Sequence, residues 1–363
     1  MFDVAIVGSG PAGASCAVFC ARAGLRVVLL EREKFPREKV CGDCLNPSCT
    51  PVLERLGVAE RVRALPHGQL RRVDFIAIGG RRVSVDLPED AEIAIKRSLF
   101  DELLMQRAAD AGVEVRDGTT VSNVEPPATR AEAWKISAGE RLQARVLVAA
   151  DGRNSTVARM LGLLPRIEKE RVALQTHLPL PANFGARVVL QFLREGYSGQ
   201  APVNDREMNL CLVGRPNTIG ALRAWAEKTF GVPRDHTWRT ITPLRRDAIA
   251  AAHSRLFLVG DAARVVEPFT GEGIYYALHS GELAAEAITR GDEEEALHSY
   301  AAAHEKLYRG RLWVNRIARA AVLSPRATSV LLQAGIIPPR VLGALTAKVV
   351  SGDASSSSAD DRL

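Results

Sequence analysis

Three glycines near the start of the chain have the spacing of a loop that cradles phosphates. They occur in Gly8-Ser9-Gly10-Pro11-Ala12-Gly13, directly after the apolar run Asp3–Val7. The first glycine permits a tight turn, the second lets the backbone approach a pyrophosphate, and the third lets the next helix pack against the strand. Proline suits the first helical position, and the N–H groups at the helix start then face the phosphates. The pattern predicts a dinucleotide site.

An acidic residue completes this pattern. Glu31 follows the apolar run Val27–Leu30 and stands 23 residues after Gly8. At the end of the second strand, its carboxylate suits the ribose hydroxyls of an adenosine and disfavours a 2′-phosphate. An ordinary strand-to-helix turn would not need all three glycines and this acid together.

An acid also follows each of two later apolar runs. Asp151 follows residues 145–150, and Asp261 follows residues 255–260. Acids at the carboxyl ends of parallel strands face the crevice where ligands of open α/β sheets bind, so Asp261 can accept hydrogen bonds from ribityl hydroxyls. The segment Pro268–Ile274 then opens a helix whose N-terminus suits the negative charge of a reduced isoalloxazine. Because no second GxGxxG occurs, this order of motifs favours FAD over NAD.

The remaining elements predict an α/β fold with interrupted domains. We expect a discontinuous Rossmann-like FAD-binding domain formed by residues 1–70, 95–160 and 245–290. Alternating and β-rich stretches predict an inserted antiparallel β-sheet substrate domain at 71–94 and 161–244. Residues 291–350 predict a C-terminal helical cap, and the Ser-rich residues 351–363 predict a disordered tail.

The chain resembles the geranylgeranyl reductase family, within the FAD flavoprotein superfamily of the para-hydroxybenzoate hydroxylase fold. The resemblance covers roughly residues 1–330. It is carried by Gly8–Gly13, Glu31, Phe35–Asp43, Arg97, Asp151-Gly152, Gly260–Ala263 and Thr270–Ile274. The Lys-x-Cys-Gly-Asp loop and the Thr-Gly-Glu-Gly-Ile stretch favour the reductase branch, because hydroxylases usually carry histidine where Arg264 stands. The Trp-x-Trp-x-Ile-Pro signature of flavin halogenases is absent from the sequence.

The resemblance also implies which residues contact the cofactor. Cys41 would lie over the flavin, where its thiol either donates a proton or packs, and Val121 would contribute its backbone. The expected FAD-binding residues are Gly8, Gly10, Pro11, Ala12, Gly13, Glu31, Cys41, Gly42, Arg97, Val121, Asp261, Gly271, Gly273 and Ile274.

One stretch departs from the family pattern. The family tends to show Tyr-x-Trp-x-Phe-Pro along its prenyl tunnel, and the matching piece here is Tyr197–Pro202. Gly199 and Ala201 replace the two aromatic residues. This difference predicts a wider pocket with fewer apolar contacts to a slim chain.

The cysteines of the Cys41-Gly42-Asp43-Cys44 loop, with Cys49 nearby, permit two further interpretations. They can form a redox-active dithiol or part of a metal site. A structural zinc site needs four ligands, and no second CxxC or neighbouring histidine pair supplies them, so we expect no metal. Cys16 and Cys20, one helical turn apart, are expected to be core residues.

The net charge of +6 is concentrated near the C-terminus. Eight basic residues and no acid occur between Lys306 and Lys348. A basic amphipathic segment can lie on an anionic membrane, but Pro325 and Pro338-Pro339 divide this one into short helices, which favours a cap on the body. No run of 18 apolar residues occurs, and no signal peptide is recognisable, so we expect a cytoplasmic protein, with peripheral contact at the inner face of the membrane as an option. Aromatic residues make up 5% of the chain and no recognition motif occurs, so nucleic acid is not an expected partner.

Together these features predict an FAD-dependent oxidoreductase that acts on a hydrophobic small molecule. The preferred reaction is C=C reduction, in which Cys41, Tyr197 or water supplies the proton and NAD(P)H or another donor supplies electrons. One alternative is a monooxygenase that hydroxylates or epoxidises its substrate with NAD(P)H and oxygen. The other is a non-catalytic flavin protein that senses redox state or binds a membrane surface.

Overall fold

Short buried strands alternate with helices through the first part of the chain. The computed structural model describes residues 1–88, 92–165, 171–310 and 312–350. The strands are, in chain order, β1 (Phe2–Val7), β2 (Val27–Leu30), β3 (Cys44–Leu45), β4 (Gly68–Leu70), β5 (Arg72–Ile76), β6 (Arg82–Asp86), β7 (Glu92–Ala94), β8 (Glu114–Arg116), β9 (Asn123–Glu125), β10 (Trp134–Ala138), β11 (Glu140–Ala149), β12 (Val172–Pro179), β13 (Arg187–Leu193), β14 (Gly196–Pro202), β15 (Glu207–Gly214), β16 (Arg239–Ile241), β17 (Ala252–His253) and β18 (Leu256–Leu258). The helices are α1 (Pro11–Arg22), α2 (Thr50–Leu56), α3 (Ala59–Arg63), α4 (Arg97–Asp110), α5 (Thr156–Met160), α6 (Ile219–Phe230), α7 (Gly273–Thr289), α8 (Glu293–Arg309), α9 (Leu312–Leu323), α10 (Pro325–Gln333) and α11 (Pro339–Val350).

The first sheet is built around parallel strands from three separate parts of the chain. Its order is β17-β18-β11-β1-β2-β8, and the pairs between β18 and β8 are parallel. Val4, Ala5 and Ile6 of β1 are fully buried, as expected where helices cover both faces of a parallel sheet. Helices α1 and α7 touch closely here, since a β-carbon on Gly281 would lie 2.2 Å from the carbonyl oxygen of Ala12.

The second sheet has the order β16-β12-β15-β14-β13-β5-β6. Its pairs are antiparallel except for β13 with β5, which are parallel and come from the two different insertions. The expected antiparallel sheet is therefore mixed at this one junction. Residues 196–202, interpreted from sequence only as a pocket wall, form the strand β14 at the centre of this sheet. A small third sheet has the order β3-β7-β4, and its strands come from the part of the chain between β2 and β8.

The C-terminal helices pack on the second sheet. Helix α9 buries Val314, Ala318 and Val322, and α10 buries Leu332. The Ser329 hydroxyl of α10 accepts a hydrogen bond from the backbone N–H of Ile78, 2.9 Å away, next to β5. The α/β class with an interrupted FAD-binding domain is confirmed, while the exact domain boundaries stay predictions. The predicted tail at 351–363 lies outside the described residues.

Candidate active site

The glycines of the N-terminal loop have different structural roles. Gly8 has a φ of +104°, and a β-carbon there would lie 2.5 Å from the carbonyl oxygen of Ala150. A β-carbon on Gly13 would lie 1.9 Å from the carbonyl oxygen of Gly8. Gly10 is different, because its β-carbon would meet only side-chain nitrogens at 3.7 and 3.8 Å. The backbone at Gly10 is therefore open to a ligand, as the sequence predicts.

Two cations surround this open position. The nitrogens near Gly10 are Nη2 of Arg37 and Nζ of Lys39, and Nζ also lies 3.6 Å from a β-carbon built on Gly152. Arg37 is neutralised by Glu31 at 3.4 Å and by Asp101 at 2.9 Å.

Lys39 has no such neutralising partner. Within the described ranges no carboxylate lies within 4.0 Å of its ammonium group. Burial, together with the nearby cations Arg97 and Arg37, lowers the pKa of Lys39 to about 8. A half-buried cation without a carboxylate, beside an open glycine, fits the diphosphate of FAD. Arg37 and Lys39 are not among the FAD-binding residues expected from the sequence, although both belong to the segment Phe35–Asp43 that carries the family resemblance.

Glu31 holds the glycine loop itself. Its Oε2 accepts a hydrogen bond from the backbone N–H of Ser9 at 3.0 Å, and its Oε1 accepts one from that of Glu33 at 3.2 Å. The carboxylate is buried at the end of β2, next to the loop. Its contact with a ribose stays a prediction.

A cavity of about 880 Å³ begins at the glycine loop and continues between the second sheet and the C-terminal helices. It collects most of the predicted site residues in one place. Gly8, Gly13, Glu31 and Val121 do not line it. The predicted residues that do are Gly10, Pro11, Ala12, Cys41, Gly42, Arg97, Tyr197, Asp261, Gly271, Gly273 and Ile274.

Arg97 provides a fixed positive charge in the cavity wall. Its Nε and Nη2 donate to the two carboxylate oxygens of Asp101 at 2.8 and 2.7 Å, and both side chains are buried. The side chain of Cys41 lies close enough to contribute to the electrostatic surroundings of Arg97. Burial lowers the pKa of Arg97, but Asp101 and Cys41 raise it more, so the guanidinium stays charged.

Asp261 lies at the carboxyl end of β18, as predicted. Its Oδ2 accepts a hydrogen bond from Nη2 of Arg153 at 3.1 Å. Arg246 donates to the backbone carbonyls of Asp261 and Ala262, both at 2.6 Å, which fixes the turn. The Asp261 carboxylate is thus held at the cavity wall, and its contact with a ribityl chain stays a prediction.

The start of α7 faces the same cavity. Gly271 has a φ of +71° and ends the turn Pro268–Thr270, and Gly273 begins the helix. A β-carbon on Gly273 would meet no heavy atom within 4 Å. Because the first N–H groups of a helix have no partner within the helix, this end suits a partial negative charge on a ligand.

The Cys41–Cys44 loop is held by strands of the second sheet. Asp43 is buried at a φ of +61°, and its Oδ2 lies 2.7 Å from Nε2 of His177 and 2.5 Å from Nδ2 of Asn209. Asn209 also donates to the carbonyl oxygen of Cys41 at 2.8 Å. Burial raises the pKa of Asp43, and the bonds from His177 and Asn209 oppose that rise. These contacts fix the backbone of the loop at the cavity wall.

Two thiols of the site, those of Cys44 and Cys211, are poorly suited to redox exchange. All six cysteines are free in the described structure. Burial raises the pKa of Cys44 and of Cys211 well above the usual thiol value. Redox-active thiols need a lowered pKa, so these contacts do not favour the dithiol interpretation. The described residues also contain no group of three or more histidine, cysteine or carboxylate side chains that could hold a metal ion.

Tyr197 lies on β14 in the apolar half of the cavity. Its ring packs edge-to-face on Phe269, with centroids 5.2 Å apart. Burial raises the pKa of its hydroxyl well above the ordinary value, which makes it a weak acid at neutral pH. Gly199 and Ala201, the small residues that replace aromatic ones, also line the cavity.

The far end of the cavity is apolar. It is lined by side chains from the second sheet and from the C-terminal helices, namely Val73, Phe75, Leu190, Phe192, Val213, Ile317, Val341 and Leu345. Such a wall favours a hydrophobic ligand, since each buried methylene contributes about 0.8 kcal/mol.

Comparison with known proteins agrees with this site. A family model described as FAD binding domain matches residues 1–192. A menaquinone reductase of Mycolicibacterium smegmatis is 32% identical over 321 residues, covering 80% of this chain and 76% of that protein. A digeranylgeranylglycerophospholipid reductase of Methanosphaerula palustris is 29% identical over 341 residues, covering 82% of this chain and 80% of that protein. The flavin-dependent brominase Bmp2 superposes with a TM-score of 0.77 at 21% identity over 97% of this chain and 95% of that chain, which shows the fold alone.

Proposed function

The chain belongs to the FAD binding domain family and is an FAD-dependent oxidoreductase, and from this premise we propose that it reduces a C=C bond in a hydrophobic, lipid-like molecule. The observation that carries the proposal is that one continuous cavity serves both binding tasks. It joins the open glycine loop and Asp261 to the apolar wall formed by the second sheet and helices α9–α11. A cofactor at one end and a hydrocarbon at the other would therefore meet in the same cavity.

The named activities of two relatives support this substrate class. The menaquinone reductase and the digeranylgeranylglycerophospholipid reductase are both reductases by name, and both names specify lipids. The resemblance to the geranylgeranyl reductase family points the same way. The widened wall at Gly199 and Ala201 favours a substrate bulkier than a bare prenyl chain.

The residues of the chain have distinct tasks in this reaction. When bound, FAD supplies hydride chemistry. Gly10 and the start of α1 would bind its diphosphate, with Lys39 providing a half-buried positive charge. Asp261 would hold the ribityl chain, and the start of α7 at Gly273 would stabilise negative charge on the ring. The apolar wall binds the substrate and excludes water.

A single-turnover experiment tests the proposal. FAD-loaded protein is reduced with dithionite without oxygen and mixed with a prenyl phospholipid, whose C=C bonds are its only groups that a hydride and a proton can reduce under these conditions. We expect reoxidation of the visible flavin band and a product that gains two hydrogens, as measured by mass spectrometry. A fully saturated lipid is the matched control and should leave the flavin reduced. NADPH and NADH can be compared as donors in the same assay.

Oxygen consumption separates this reaction from the monooxygenase alternative. If product forms only in the presence of oxygen and gains one oxygen atom, the protein is a monooxygenase and the reductase proposal is wrong. If no candidate lipid is converted to a reduced or an oxygenated product under either condition, the lipid substrate class is wrong.

We also propose that the C-terminal helices meet an anionic membrane. The large hydrophobic side chains of the described chain that are exposed, apart from Met1, all lie in this segment: Trp313, Ile317, Val330, Leu331, Ile336 and Val341. The segment has no acidic residue, and the guanidinium-bearing residues Arg316, Arg326 and Arg340 are exposed there. Its buried face caps the cavity, so the exposed face is free to bind lipid headgroups. No helix in the described ranges is long and apolar enough to span a membrane.

A further inference from the structure

One acidic side chain of the cavity has no role in the scheme above. Glu92 begins β7, the middle strand of the small sheet, and lines the cavity. Its Oε1 lies 3.8 Å from the position of a β-carbon built on Gly271, and the same position lies 4.0 Å from Cβ of Cys44. The carboxyl group therefore lies between the Cys41–Cys44 loop and the turn that precedes α7.

The carboxyl group of Glu92 has no polar partner within the described residues. Among these residues, no hydrogen-bond donor and no cation lies within bonding distance of its oxygens. Two other carboxylates do have such a partner, since Glu207 is paired with Lys96 and Glu272 accepts a hydrogen bond from Asn315. A half-buried acid that faces a cavity without a partner is expected to favour its neutral form.

The charged and titratable groups on the surrounding elements do not neutralise Glu92. They are Cys44 on β3, Cys41 and Asp43 in the loop before it, Lys96 and Arg97 at the start of α4, Cys211 on β15, Glu272 before α7 and Lys348 on α11. Lys96 is paired with Glu207 at 2.7 Å, and Arg97 with Asp101. Burial is the cause that raises the pKa of Glu92, to about 7.

Three other groups of the cavity that could donate a proton bind it more tightly. Burial raises the pKa of Cys44, Cys211 and Tyr197 well above their ordinary values, all of which already exceed neutrality. General acid catalysis is most efficient when the pKa of the donor lies near the working pH. By its position in the cavity and by its pKa, Glu92 is a better proton donor at neutral pH than Cys44, Cys211 or Tyr197.

We propose that Glu92 is a catalytic residue that donates the proton to the substrate double bond, an inference that rests on the proposed function. The O–H bond of Glu92 breaks and a C–H bond forms at one alkene carbon, while the other carbon receives a hydride. The π bond is consumed, and the substrate gains two electrons and two hydrogens. Both electrons arrive with the hydride from reduced FAD, which a nicotinamide or dithionite reduces beforehand. Water returns a proton to the Glu92 carboxylate.

The test compares wild type, Glu92→Gln and the control Glu60→Gln, whose parent carboxylate is 87% exposed on α3. With reduced, FAD-loaded protein and a lipid that wild type reduces, E92Q should oxidise its flavin about 100-fold more slowly or worse, because general acids contribute at least this much. E60Q should match wild type. The pH profile of wild type should lose rate above about pH 7, and E92Q should lose this dependence.

A second measurement does not depend on turnover. The folded-state pKa of Glu92 is raised from 4.5 to about 7, so its stabilising effect is present at low pH and is lost as pH rises through that interval. The melting temperature of E92Q relative to wild type should therefore increase between pH 5 and pH 8, and that of E60Q should not. The role of Glu92 would be overturned if the difference in melting temperature between E92Q and wild type did not change with pH. It would also be overturned if E92Q kept the reduction rate and the pH profile of wild type. Failure of wild type to reduce any lipid would instead refute the proposed function, and this inference with it.

Discussion

Nζ of Lys39 lies 3.8 Å from the position that a β-carbon would occupy on Gly10, and among the described residues beyond the adjacent stretch of chain no backbone atom lies as close to that position. The space next to Gly10 is therefore bounded by the flexible side chains of Arg37 and Lys39 and not by the backbone of a neighbouring segment. This distinguishes Gly10 from Gly8 and Gly13, whose missing β-carbons are required by neighbouring carbonyl groups.

Gly10→Val should abolish FAD retention and leave the protein folded, because the new side chain fills the diphosphate position without meeting backbone. FAD released by acid from the purified protein measures retention, and circular dichroism measures folding. Gly13→Ala is the contrasting variant and should lose stability, since its β-carbon would lie 1.9 Å from the Gly8 carbonyl oxygen. A G10V protein that still purifies with FAD would contradict the assignment of the phosphate site.

Lys39 should make FAD binding depend on pH. Its pKa of about 8 in the ligand-free protein means that the ammonium group is charged at pH 7 and largely neutral at pH 9. An anionic diphosphate favours the charged form, so FAD affinity should fall as pH rises through that interval. Lys39→Met should bind FAD about 10- to 100-fold more weakly at pH 7, the scale of a hydrogen bond to a charged group.

Lys39→Arg is the matched control for this effect. A guanidinium stays charged throughout the range, so its FAD affinity should change little between pH 7 and pH 9. Titration calorimetry at the two pH values gives the comparison. An affinity of wild type that is constant across the range would remove Lys39 from the diphosphate site.

Asp261→Ala should weaken FAD binding by about 1–3 kcal/mol, because the ribityl hydroxyls and Arg153 would both lose a partner. The reduction potential of the bound flavin should also shift, since the substitution removes a carboxylate near the ring. Asp261→Asn is a milder control that keeps an acceptor oxygen. Equal FAD affinity in wild type and D261A would place this carboxylate outside the cofactor site.

The sequence was sufficient for the features that depend on local spacing. The Gly8–Gly13 loop, Asp261 and the start of α7 at Gly273 lie where the motifs predict them, because each depends on a strand end and the helix that follows. The strand β14 was missed, since its glycines and prolines have low β propensity. Its place is determined by hydrogen bonding to β13 and β15 on both sides.

Contacts between distant segments could not be predicted in this way. Asn209 reaches Asp43 across 166 positions of the chain, and His177 reaches it across 134. Neither residue type nor spacing signals that these strands approach the Cys41 loop. Glu92 offered a weak signal, an acid within the otherwise apolar run Glu92–Ile95, but only the fold shows that this strand faces the cavity.

The C-terminal helices should bind anionic vesicles in a salt-sensitive manner. Each basic side chain near an anionic surface contributes about 1 kcal/mol, and salt screens this attraction within about 10 Å at 0.1 M. Co-sedimentation with phosphatidylserine-containing vesicles at low and high salt measures it. The triple substitution of Arg316, Arg326 and Arg340 by Glu should abolish binding, whereas Arg234→Glu, which changes an arginine that is 94% exposed elsewhere, should not.

The apolar residues of the same segment should contribute independently of charge. Trp313 and Ile317 are 48% and 47% exposed and also line the cavity, so they lie where a lipid would enter it. Trp313→Gln with Ile317→Gln should weaken the vesicle binding that remains at high salt and should raise KM for a lipid substrate more than it lowers kcat. If neither vesicle composition nor salt changes sedimentation, the helices only cap the cavity. Self-association of the protein that the same double substitution abolishes would instead identify this face as a contact between copies of the chain.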